Sequence, residues 1–364
     1  MSRNLSTPLP LGAIALSHRV VMAPLSRFRA ELPGDVPGDL MLEYYSQRAS
    51  EGGLIIAEAT TVSATGRGYL GAPGIYTDEQ AAGWRRIADA VHAKGGRIFL
   101  QLYHAGRVSH RDLAGGAPVG PSEVPFPEGH AFLDGGFVPA TPNRALRTEE
   151  IPGIVEEFRM AAERAKSAGF DGVELHAANG YLLDQFLQDG SNRRTDAYGG
   201  SIENRTRLLL EATGAAISVW GPGRVAVRLS PSGEFNGMSD SDPEALFDHA
   251  AARLDKLGLA YLHIVEPRVN GSTEVAEGLA PVASRRLRAI FGGTLLAAGG
   301  FQPEGAEAII VKGDADLVAF GRSFIANPDL PRRILNGLPL NAYDRATFYG
   351  GDDRGYTDYP FYRA

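Results

Sequence analysis

Short apolar runs, four to seven residues long, alternate along the whole chain with longer stretches in which apolar residues recur at helical spacing. Eight such runs predict strands at 20–23, 54–57, 97–102, 172–175, 224–229, 259–265, 294–297 and 317–320. They are nearly continuous in hydrophobicity, as strands covered on both faces of a parallel sheet are. Start signals mark the intervening helices: Thr77-Asp78-Glu79-Gln80 reads as a capping box, Thr148 precedes Glu149 and Glu150, and Asp242 precedes an N1 proline, Pro243. Eight βα units in succession, with no GxGxxG after the first run, predict an α/β chain closed into a (β/α)8 TIM barrel rather than an open dinucleotide-binding sheet.

Two stretches break this rhythm. Residues 104–147 are rich in Gly and Pro and poor in helix formers, so they read as a long insertion after the third strand, capping the face where strands end. The aromatic and polar tail, 342–364, cannot form a helix of its own and is expected to fold back over the same mouth. One domain spanning 1–364 accommodates all of this.

Composition narrows the class. The 364 residues are 44% hydrophobic and 22% charged, ordinary globular usage. A formal charge of -7 and a pI near 5.7 argue against a nucleic-acid partner, which needs a concentrated basic face. No apolar run reaches the length of a membrane span. An apolar stretch at 8–16 is interrupted by Pro8, Pro10 and Gly12, unlike the core of a secretory signal. The absence of cysteine excludes disulfides, thiolate nucleophiles and Cys-bound metals, and fits a cytoplasmic location.

In a (β/α)8 barrel, chemistry sits at the carboxyl ends of the strands. Those ends carry Ala23-Pro24-Leu25-Ser26, Glu58-Ala59-Thr60, Gln101 with Tyr103, His176, Arg228, Gly299-Gly300 and Gly321-Arg322. No lysine lies at a strand end, so Schiff-base chemistry is excluded. Gln, His and Arg on neighbouring strands repel a cation rather than bind one, so no metal is expected. His104, His110 and His130 in the insertion have no ligand spacing and are expected to be solvated. What remains is a mouth of hydrogen-bond donors, one fixed cation and two glycine turns suited to a phosphate. Flavin mononucleotide satisfies it: backbone amides and Arg322 for the phosphate, Arg228 for the charge that reduction leaves on the ring.

The segment 172–210, GVELHAANGYLLDQFLQDGSNRRTDAYGGSIENRTRLLL, resembles the hallmark stretch of the old yellow enzyme family, alkene reductases akin to the N-ethylmaleimide and glycerol trinitrate reductases. Supporting matches run in order through VVMAPLSRFRA, GYLGAPGIYTDEQ, IFLQLYHAGRVSH, VRLSPSGEFNGM, AFGRSFIANPDLPRR and GYTDYP, covering essentially the whole chain. The resemblance implies an FMN enzyme that takes hydride from NADPH or NADH and passes it to the activated C=C bond of small molecules: enones, enals, maleimides, nitro compounds or nitrate esters. It implies that His176 and Asn179 hold the substrate oxygen and that Tyr181 protonates carbon. By the same resemblance Pro24, Leu25, Ser26, Ala59, Gln101 and Arg228 surround the flavin ring, and Gly299, Gly300, Gly321 and Arg322 cradle its phosphate. Tyr69, Tyr103, Phe235 and Tyr356 would line the substrate space. Ser26 stands where many members carry Thr or Cys, and Tyr103 where Trp is common. An amine-oxidising FMN barrel and a flavin-holding sensor are the alternatives; the larger members of the former add iron–sulfur cysteines that this chain lacks.

Overall fold

The computed structural model describes residues 4–126, 128–134, 136–267, 269–270, 273–274 and 283–363. Eight parallel strands close into a barrel: β1 (Val20–Met22), β2 (Leu54–Thr61), β3 (Arg97–Tyr103), β4 (Gly172–Ala177), β5 (Val225–Leu229), β6 (Leu262–Val265), β7 (Leu295–Ala298) and β8 (Leu317–Phe320), with β8 pairing back onto β1. Each grows from one of the eight apolar runs. The largest difference is in β2, which continues to Thr61 through an irregularity between Ala57 and Thr60.

The helices that follow the strands are α1 (Asp39–Arg48), α2 (Asp78–His92), α3 (Ile151–Ser167), α4 (Arg207–Trp220), α5 (Pro243–Leu254), α6 (Ala283–Arg288), α7 (Pro303–Lys312) and α8 (Leu330–Asn336). α2 starts with the expected capping box, the Thr77 hydroxyl accepting from the Gln80 amide, and the Asp242 carboxylate accepts from the Ala245 amide to begin α5. Before α3 the residues Thr148–Glu150 form a 3-10 turn, with the Glu150 carboxylate accepting from the Arg147 amide at 2.7 Å.

Alternation along the strands sorts side chains into two cores. Val173, Leu175, Val225, Val227, Leu262 and Ile264 face out against the helices. Val21, Leu54, Ile56, Phe99, Ala226, Leu296 and Leu317 face in, and Leu11 and Leu16 of a hairpin (Leu9–Leu11 with Ile14–Leu16) close the lower end against them. The interior is therefore a packed apolar plug below and open above.

The insertion after β3 contains a second hairpin, His130–Leu133 with Gly136–Pro139, which the sequence pattern did not reveal. The tail returns over the same rim. It is strapped there by buried arginines that donate to its backbone: Arg27 Nε to the Phe348 carbonyl at 2.8 Å, Arg27 Nη2 to that of Gly355 at 2.9 Å, Arg29 Nε to that of Asp352 at 2.9 Å, and Arg48 Nη2 to that of Tyr356 at 3.1 Å. Among the described residues no helix is long and apolar enough to cross a membrane.

Candidate active site

The upper interior is divided by residue size. On one arc the inward positions of β3, β4 and β5 hold Gln101, His176 and Arg228; on the other, Ala23 just beyond β1 and the inward positions Ala298 of β7 and Ala319 of β8 are small. Small side chains on one side leave a slot, and long polar ones on the other supply donors along one edge. A flat ring with one polar edge is the shape this arrangement admits.

The polar arc is incomplete by itself. His176 is 3% exposed, yet among the described residues its Nδ1 has no partner, and neither has Arg228 Nε. Buried polar atoms rarely go unpaired, so these two point to a ligand. His176 and Arg228 lie side by side across the β4–β5 ladder. Burial, with the Arg228 charge beside it, holds the His176 pKa well below its ordinary value, so the imidazole is neutral. On the far rim Gly299 (φ 117) and Gly300 (φ 65) make the turn after β7. A Cβ on Gly300 would stand 3.4 Å from Val269 Cγ1 and 3.7 Å from Arg322 Nη2, filling the gap between them. Bare backbone and a guanidinium there suit a phosphate. The donor set, the slot and the glycine turns fit FMN.

The turn after β4 presents the remaining groups. Asn179 takes φ 58 and Gly180 φ 76. This left-handed pair is fixed from all sides: the Asn179 amide donates to Ser230 Oγ at 2.9 Å, Asn236 Nδ2 donates to the Asn179 carbonyl at 2.8 Å, and the Gly180 amide donates to Asp184 Oδ2 at 2.8 Å. Burial pushes the Asp184 carboxyl up to about 6. With its backbone so held, Asn179 lines the same cavity as His176 and Tyr181. The Tyr181 ring stands 4.9 Å from that of His176, centroid to centroid, and its hydroxyl lies 3.1 Å from that of Tyr69. Burial pushes the Tyr181 phenol up to about 12, so it keeps its proton at neutral pH.

Pro24, Leu25, Ser26, Ala59, Gly321, Tyr69 and Phe235 also line the cavity, as the resemblance implies. Two residues are placed elsewhere. Tyr356 is fully buried, stacked on Tyr44 at 4.0 Å between centroids with the Arg29 guanidinium 4.5 Å from its ring, so it builds the wall and is absent from the lining. Tyr103 stands behind Tyr181 at 5.2 Å and likewise does not reach the lining. His104, expected in solvent, is 1% exposed, and burial lowers its pKa to about 3. The sequence reading missed the aromatic rim of Phe28, Phe137 and Tyr349: Phe28 stacks on Tyr349 at 5.1 Å, and Phe137 meets both edge-on at 5.5 and 6.4 Å. The clustering of aromatics in the insertion and tail was the available signal. Among the described residues no group of His, Asp or Glu could hold a metal.

The model of the NADH:flavin oxidoreductase / NADH oxidase family matches residues 4–341. The chain is 50% identical to 12-oxophytodienoate reductase 1 of Oryza sativa subsp. japonica, across 98% of this chain and 93% of the relative. It is 46% identical to flavin oxidoreductase hxnT of Emericella nidulans, across 98% and 97%. Among solved structures it superposes on morphinone reductase in complex with tetrahydroNAD with a TM-score of 0.92 at 52% identity, covering 99% of this chain and 98% of that one. The old yellow enzyme homologue from Zymomonas mobilis gives a TM-score of 0.93 at 45% identity, covering 98% and 99%.

Proposed function

The chain belongs to the NADH:flavin oxidoreductase / NADH oxidase family, the old yellow enzymes, and on that premise we propose that it reduces the activated C=C bond of small α,β-unsaturated carbonyl or nitro compounds. It is an FMN enzyme fed by NAD(P)H. Bound FMN supplies hydride transfer, first from the nicotinamide and then to the alkene, in one shared cavity.

The observation that carries the proposal is the convergence of His176, Asn179 and Tyr181 on that cavity. A neutral imidazole and a carboxamide donate hydrogen bonds to the substrate oxygen and stabilise the negative charge that grows there as hydride arrives at the β-carbon. Because burial keeps the ring neutral, its remaining N–H is a very weak acid, and it stabilises that charge as a hydrogen-bond donor. Tyr181 retains a proton at neutral pH and donates it to the α-carbon, and Tyr69, at 3.1 Å, is placed to hydrogen-bond the phenol oxygen as the proton leaves. Ser26, Ala59, Gln101 and Arg228 hold the ring, and Gly299, Gly300, Gly321 and Arg322 the phosphate. Relatives named as reductases of 12-oxophytodienoate and of morphinone support an oxo-alkene substrate. The alternating architecture is read as one domain, 1–364, with 104–147 inserted as its cap, acting in the cytoplasm.

The test is anaerobic NAD(P)H oxidation with 2-cyclohexenone, with product analysis. The expected product is cyclohexanone with one equivalent of NAD(P)H consumed. Formation of the allylic alcohol, or no consumption while quinones still reoxidise the enzyme, overturns the assignment.

A further inference from the structure

Beneath the cavity lies a polar group that the proposed chemistry does not use. Glu174 faces inward from β4, two residues before His176, and is fully buried. Its Oε1 accepts from Gln101 Nε2 at 2.7 Å, and its Oε2 accepts from His263 Nδ1 at 2.8 Å. Burial opposes the charge on Glu174, but His263, Arg228 and Gln101 together hold its carboxyl below the usual range, so it is ionised. Burial also lowers the His263 pKa; the ring is neutral and carries its proton on Nδ1, because a carboxylate can only accept.

The same asymmetry acts on Gln101. The two ends of a glutamine amide have nearly the same shape, and only their partners decide which way it turns. An ionised Glu174 accepts and never donates, so the NH2 of Gln101 must face it, and the carbonyl oxygen turns away, toward the cavity that Gln101 lines. An acceptor there suits the imide N–H of a flavin. The same carboxylate is the negative charge that offsets Arg228.

We propose that Glu174, steadied by His263, is a positioning residue for the cofactor: it fixes the orientation of the Gln101 amide and balances Arg228, and so sets both the affinity for FMN and its reduction potential. This rests on the placement of FMN given above.

The test titrates apo-protein with FMN by fluorescence and measures the reduction potential of the reconstituted protein by dye equilibration. Glu174→Gln gives the residue a donor, lets the Gln101 amide flip and removes an anion near the ring. Loss of one hydrogen bond of about 1.4 kcal/mol raises the FMN Kd about tenfold, and the potential moves upward because reduced, anionic flavin is stabilised. Gln101→Leu loses similar affinity with a smaller shift in potential. The double variant binds no more weakly than Gln101→Leu alone, since Glu174 acts on affinity through Gln101. Unchanged Kd and potential in Glu174→Gln, or losses of affinity that multiply in the double variant, overturn the proposal. If Glu174→Gln does not fold, His263 carries the test: His263→Gln keeps a donor to the carboxylate and both quantities near wild type, whereas His263→Leu raises both. Wild-type values in His263→Leu also overturn it. A wild-type chain that takes up no FMN overturns the cofactor placement instead, a result distinct from variants that match an FMN-binding parent.

Discussion

Asn179 combines two roles that a pair of substitutions separates. Its φ of 58 lies in the left-handed region, where a residue with a Cβ is strained and glycine is not. It lines the cavity, where the proposed role of its side chain is donation to the substrate oxygen. Asn179→Ala loses the donor and adds backbone strain of about 1 kcal/mol, since Asn tolerates this conformation better than Ala. At an unfolding entropy of about 2.1 cal/mol/K per residue, that strain lowers Tm by about 1 to 2 °C in a chain of this size. Asn179→Gly loses the same donor without the strain. A hydrogen bond to a charged or charging oxygen is worth about 1.5 to 3 kcal/mol, so both variants slow alkene reduction by about ten- to a hundredfold, and both weaken binding of a phenol that mimics the enolate. The assays are differential scanning calorimetry, phenol titration of the oxidised flavin band and stopped-flow mixing of reduced enzyme with enone. The expected pattern is a Tm loss in Ala alone and equal functional losses in both. If Asn179→Gly restores phenol affinity and rate together with stability, Asn179 serves the backbone only and its assignment as a donor is wrong.

Tyr181→Phe is expected to slow enone reduction by about 10² to 10⁴ while leaving flavin reduction by NAD(P)H intact; equal slowing of both half-reactions removes Tyr181 from the proton step. Arg228→Met is expected to lower the flavin reduction potential and weaken FMN binding, because a fixed cation favours the charged reduced ring; an unchanged potential makes Arg228 structural. Tyr356→Phe keeps the stack on Tyr44 and is expected to leave the enone KM unchanged, so a several-fold rise in KM would show that Tyr356 reaches the substrate after all. Burial raises the Glu58 carboxyl from 4.5 to about 7, so this group's contribution to stability is full below pH 4.5 and is lost as pH rises through 7. Glu58→Gln lacks that dependence, and its Tm should gain on wild type between pH 5 and pH 8; parallel Tm profiles for the two proteins contradict the raised carboxyl.

The barrel was legible because each strand is buried on both faces and so appears as an unbroken apolar run, and because eight such runs with helices between them leave few alternatives. His176 was legible as the end of a strand, whereas Asn179 and Tyr181 were named through the resemblance; all three line one cavity. Tyr103 and Tyr356 lie outside the cavity lining, because a matched motif locates a residue on the chain without giving its side-chain direction: Tyr103 packs edge-on against Tyr181, and Tyr356 is drawn into a stack with Tyr44 from a segment far away in sequence. His104 was assigned to solvent because it lies in the insertion and has no ligand spacing, although it directly follows β3 and packs where a Cβ on Gly66 would collide with its ring. Glu174 was within reach of the sequence: in Gly172–Ala177 it shares the inward period-2 register with His176, which places a carboxylate in the barrel interior.

The strap on the C-terminal tail has a consequence for how this cavity diversifies. Arg27, Arg29 and Arg48 grip carbonyl oxygens, which every amino acid possesses, and most of the tail's own side chains take no part in that attachment. Substitution at Tyr349, whose ring forms part of the rim, therefore changes what the mouth admits without releasing the segment that carries it. Anchorage and selectivity are encoded at different positions, so selection can rewrite the entrance one residue at a time while the barrel beneath keeps its cofactor geometry.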